Sequence, residues 1–98
     1  MTAASRLETL ITSIAELLRQ CGHADRAAWL EDRLAVLNDP ISTPDAREFV
    51  RTEVHGIVLG MSGLMDLNLR PDPLSGYTAR SARERLDELA DELYQATK

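Results

Sequence analysis

Apolar residues recur at helical spacing in four separate stretches of this chain. Over residues 5–21, Leu7, Leu10, Ile11, Ile14, Leu17, Leu18 and Cys21 form one stripe, with Glu8, Thr12, Glu16, Arg19 and Gln20 on the opposite side. Ser5 and Glu8 have capping-box spacing, and Gly22 stands where a helix end needs positive φ. A second helix is expected over 25–37, capped by Asp25. Its stripe is Ala27, Leu30, Leu34 and Leu37, with Trp29 and Val36 on its flank. The short link between these two helices predicts an antiparallel hairpin. Asn38-Asp39-Pro40 ends the second helix, because proline cannot continue it.

The third helix is expected over 44–59. Thr43 caps it, Pro44 suits the first position, and Asp45 meets the positive end of the dipole. Ala46, Phe49, Val50, Val54, Ile57 and Val58 give its stripe, and the apolar content widens after Val54, as expected of a helix end buried on most sides. The pattern then breaks. Gly60 and Gly63 bracket Met61-Ser62, and Met65-Asp66-Leu67-Asn68-Leu69 alternates with period two. One such segment has no evident partner strand, so it predicts an extended connector whose side chains plug the bundle. Arg70-Pro71-Asp72-Pro73 is a loop. A last helix is expected over 76–96, most clearly from Ser81, which has capping-box spacing to Glu84, with a start already near Ser75 as the alternative. Its stripe is Ala82, Leu86, Leu89, Ala90 and Leu93, and Arg80–Glu84 and Arg83–Asp87 are i,i+4 pairs. The expected fold is all-α: a single four-helix bundle-like domain with a glycine-containing break before its last helix.

Composition narrows the functions. A chain of 98 residues is one domain, able to bury roughly two-thirds of the surface its unfolded form exposes. The net charge of −5 argues against nucleic acid and anionic membrane, both of which select a basic footprint. One cysteine allows no intrachain disulfide, and residues 1–20 lack a signal-peptide pattern, so the expectation is a cytoplasmic protein.

Chemistry is sparse. His23 and His55 sit in no ligand spacing, Cys21 lacks a base and an orienter, and the acidic pairs of the last helix point to different sides. The expectation is therefore no enzyme, no metal and no cofactor. Gly60-Met61-Ser62-Gly63 lacks the Gly-Lys-Ser/Thr ending of a phosphate loop, so its glycines are read as a tight turn. Asp66, set among Leu64, Met65 and Leu67, must reach water or donors. It is read as a local cap for that turn, and Gly60, Met61, Ser62, Gly63 and Asp66 together are the candidate structural or binding turn.

Gly60-Met61, Asp66-Leu67 and the earlier Trp29-Leu30-Glu31 step resemble a family of small uncharacterised bacterial all-helical domains. The signature of that family is Gly-Met-Gly-Ser-(Leu/Phe)-Asn-Asp-Leu after a third helix. Here Ser62-Gly63 stands where Gly-Ser is usual, and Met65 replaces the Asn. The resemblance covers about residues 6–70 and implies a helical fold. Some similar small acidic bacterial proteins are immunity partners of secreted toxins, which implies a protein partner by analogy. The expectation is a protein-binding module of immunity or adaptor kind. The alternative is a small-molecule-binding or structural bundle with a pocket beneath the Gly60–Asp66 turn. Homodimerisation is compatible with either.

Overall fold

A computed structural model describes the backbone of residues 3–59, 63–64 and 67–97, and the side chains of 6–58, 63–64 and 67–97. Four helices follow in order: α1 (Ala3–Gln20), α2 (Ala24–Asn38), α3 (Pro44–Leu59) and α4 (Ala79–Thr97). The described residues contain no strand, so the fold is the expected all-α bundle.

Contacts between the helices give its topology. α1 packs on α2 and α4, and α3 packs on the same two, so α1 and α3 are diagonal. Arg19 pairs with Glu31 near one end of the first hairpin, while Glu8 and Asn38 line one surface groove at the other. Arg33 meets Glu53 across α2 and α3, and Arg51 meets the Ala96 carbonyl across α3 and α4. Leu7 shares a groove with Ala96, and Leu17 shares another with Leu89. Leu37 and Pro44 share a groove and His55 stacks on Tyr94, so in every neighbouring pair the numbers run in opposite senses, which makes an up-down-up-down bundle.

The core is unevenly supplied. α1 buries Leu7, Leu10, Ile11, Ile14, Leu17 and Leu18, as its stripe predicts, and α4 buries Ala82, Leu86, Leu89, Ala90 and Leu93. By contrast α2 buries only Ala27 and Leu30, with Leu34 and Leu37 half-covered. On α3, Val50, Val54 and Val58 are buried, but Phe49 is 67% exposed. The expectation that Phe49 joins the core stripe is thus corrected. It stands one residue before Val50, which puts it on the shoulder of a narrow i, i+4, i+8 stripe facing α4 and α2. The end of α3 is likewise not buried on most sides, since Gly56 is exposed and Ile57 half-covered.

Helix ends depart from expectation in informative ways. α1 begins at Ala3, so Ser5 lies inside its first turn and is not its cap. Its C-terminus is as expected: Gly22 has φ +85°, and the His23 amide donates to the Leu18 carbonyl at 2.9 Å in a Schellman closure. The residue before α2 is His23, not Asp25, and its side chain makes no cap bond. Asp25 falls in the first turn, where its charge suits the dipole. Thr43 caps α3 as expected, its hydroxyl accepting from the Ala46 amide at 3.1 Å. At α4 the capping box joins Thr78 and Ser81, not Ser81 and Glu84. The Ser81 amide donates to Thr78 Oγ1 at 3.0 Å, and the Thr78 amide donates to Ser81 Oγ at 2.9 Å. Glu84 instead pairs with Arg80 at 3.2 Å.

Candidate functional site

The connector after α3 closes one end of the bundle. Leu67 and Leu69 are buried while Asn68 and Arg70 are exposed, the alternation the sequence predicts for the described part of this segment, and Leu64 is buried as well, out of that phase. Of the candidate turn, Gly63 is buried. Gly60, Met61, Ser62 and Asp66 lie outside the described residues, as does Met65, and with them the capping reading of Asp66.

Backbone groups in an extended segment need partners, since an unpaired buried amide or carbonyl costs stability. Three elements supply them. From α4, Arg83 donates to the Leu67 carbonyl at 3.0 Å and to the Leu64 carbonyl at 3.1 Å, and its Nε reaches Asp87 at 2.9 Å. From the α1–α2 turn, His23 Nε2 lies 2.7 Å from the Asn68 carbonyl. That carbonyl only accepts, so Nε2 carries the proton. Finally, the Arg70 amide donates to the Cys21 carbonyl at 3.0 Å, and the Asp72 amide to the Gln20 carbonyl at 2.8 Å. These last two bonds satisfy carbonyls that the end of α1 leaves unpaired.

Beside this connector, between α2 and the end of α3, lies a cleft of about 320 Å³. Among the described residues, Leu18, Trp29, Leu30, Ile57 and Leu64 form its apolar wall, and Asp25 and Arg26 also line it. Its volume is at the lower end of the roughly 300–1,000 Å³ that small-molecule sites occupy. The Arg33 guanidinium lies 4.6 Å from the centre of the Trp29 ring, a cation–π contact. Arg33 Nε is 3.2 Å from Glu53 in an ion pair that lacks hydrogen-bond alignment. Trp29 is thereby held between a neighbouring cation and the cleft.

The cleft includes Trp29 and Leu64, whereas the Gly60–Asp66 turn beneath which a pocket is expected lies largely outside the described residues. Arg26 and Ile57 were not singled out as site residues. The one available signal is that Trp29 and Ile57 fall beside their helices' central stripes, where the core covers them incompletely.

The other chemically capable groups have structural partners. His55 Nδ1 lies 2.8 Å from the Thr97 hydroxyl, which itself donates to the Leu93 carbonyl at 2.8 Å. The imidazole also stacks on Tyr94, with ring centres 4.6 Å apart. Cys21 is buried, and burial pushes its thiol above the ordinary range. His23, the one base near it in sequence, is engaged with Asn68. Among the described residues, no group of three or more His, Cys, Asp or Glu could hold a metal ion, and no helix is long and apolar enough to cross a membrane.

No family model, curated protein or solved structure matches this chain.

Proposed function

We propose that the protein is a non-enzymatic protein-binding module, of immunity or adaptor kind, and that its partner docks on the α2–α3 side. One observation carries this reading. Most of the large apolar side chains left incompletely covered among the described residues lie on α2, α3 and their link, namely Trp29, Leu34, Leu37, Ile41, Phe49 and Ile57, while Leu74, Tyr77 and Tyr94 lie on the α3–α4 link and α4. α1 and α4 bury their stripes. Such a gathering marks an interaction surface more than scattered exposure does. Aromatic residues such as Trp29 and Phe49 are typical anchors of protein interfaces.

Affinity capture from the native host with wild-type protein and Phe49→Ser tests the reading. The expected outcome is a partner retained by the wild type and lost by the variant. Equal recovery on both would refute the α2–α3 side as the docking face. Sedimentation of the purified chain reveals whether a second copy takes that place.

A second reading is a small-molecule-binding bundle, and the Trp29 cleft favours it. Sites of this kind form between bundle helices.

A further inference from the structure

The cleft beside Trp29 has a charge pattern as well as a volume. Five of its described lining residues are apolar, and the two charged ones among them come from the first turn of α2. Arg26 is half-buried, yet makes no ion pair or hydrogen bond with a described residue. Arg19, Arg33, Arg80, Arg83 and Arg85 each meet an acid, and Arg47 meets the Asp39 carbonyl. Asp25 is exposed and forms no ion pair with Arg26.

An unpaired guanidinium beside an apolar wall gains most from an anion delivered on an apolar body. Asp25, one residue away, repels a second negative charge. We propose that the cleft binds compact apolar monocarboxylates. The branched or aromatic body packs against Trp29, Leu30, Ile57 and Leu64, and the carboxylate pairs with Arg26. This inference rests on the small-molecule reading, and its cleft shares Trp29 and Ile57 with the face proposed for a protein partner.

Trp29 is the only tryptophan in the chain, so its emission reports directly on the cleft. Three probes share one body and differ in the head: 3-phenylpropionate, 3-phenylpropanamide and 3-phenylpropylamine. The acid is expected to change Trp29 emission saturably and to bind about tenfold tighter than the amide, as one charge-assisted pair provides. The amine is expected to bind no better than the amide. Arg26→Gln, with its fold checked by circular dichroism, brings acid and amide to about the same affinity and leaves amide binding in place.

Equal binding of acid and amide to the wild type, or an Arg26→Gln variant that keeps the acid preference, overturns the ligand class but leaves a small-molecule cleft. Absence of saturable binding by all three probes overturns the cleft as a small-molecule site altogether. Tighter binding of a blocked leucine peptide than of any probe assigns the cleft to a partner's side chain, and overturns the proposal too.

Discussion

The guanidinium of Arg83 donates to the Leu67 carbonyl at 3.0 Å across sixteen positions of sequence, and so ties the start of α4 to the connector that follows α3. The same side chain reaches the Leu64 carbonyl and Asp87. In the sequence this residue is one half of an ordinary i,i+4 pair. In the fold it is the clamp that seats Leu64 and Leu67 in the core, and Leu64 is part of the cleft wall. Arg83→Met removes three charge-assisted bonds and leaves two carbonyls short of partners, so it is expected to destabilise the protein by about 2–3 kcal/mol. Asp87→Asn is expected to cost under about 1 kcal/mol, because that carboxylate is half-exposed. Urea unfolding of both variants measures the difference. Equal losses would show that the ion pair, and not the carbonyl clamp, supplies the stability.

At the start of α4 the cap is assigned to Thr78. Thr78→Ala is expected to cost about 1 kcal/mol, whereas Glu84→Ala, which removes only an exposed pair with Arg80, is expected to cost a few tenths. Thermal unfolding separates them, since about 1 kcal/mol moves the midpoint of a domain this size by roughly 4–8 °C. The reverse order would restore Ser81 and Glu84 as the capping pair.

Much of the architecture is legible in the sequence, and the reasons differ by element. The stripes of α1 and α4 are wide and regular, and every residue named in them is buried. Thr43-Pro44-Asp45 marks the start of α3 without ambiguity, because cap, fixed φ and charge agree there. Phe49 could not be placed correctly from spacing, because α3 buries a narrow seam of valines and the period alone does not give stripe width. Capping boxes at Ser5 and Ser81 misled because α1 and α4 start two residues earlier, at Ala3 and Ala79, which puts both residues inside the first turn. The clamp of Arg83 and the free charge of Arg26 depend on which residues meet after folding, and no local pattern carries that. Of the candidate turn only Gly63 is described, and it is buried.

Two glycines should respond in opposite directions to the same change. Gly22 has φ +85°, and an added Cβ would meet Arg70 only at ordinary contact distance, 3.6 Å. The penalty of Gly22→Ala is therefore torsional, about 1–2 kcal/mol. Gly56 is helical and exposed, with nothing within 4 Å of an added Cβ. Gly56→Ala is expected to stabilise by about 0.5–1 kcal/mol. Chemical denaturation of the pair checks both signs, and a stabilising Gly22→Ala would contradict the Schellman closure.

Burial raises the Cys21 thiol above its ordinary range. An unfolded thiol titrates near roughly pH 8.5. The folded state therefore holds its proton at pH values where the unfolded chain has released it. The contribution of this group is fully present below about pH 8.5 and is lost as pH rises from there through the folded value. Urea midpoints compared between wild type and Cys21→Ala from neutral to alkaline pH should show the gap shifting against the wild type as pH rises. Parallel curves would mean the thiol titrates alike in both states.

The most direct test of the account places a photo-crosslinking residue at position 49, on the α2–α3 side, and in a second protein at position 88, on the exposed face of α4. Illumination in the native host is predicted to give one discrete partner adduct from position 49 and none from position 88. The same adduct from both positions, or one from position 88 alone, would contradict the claim that the incompletely covered apolar face of α2 and α3 is where this protein binds.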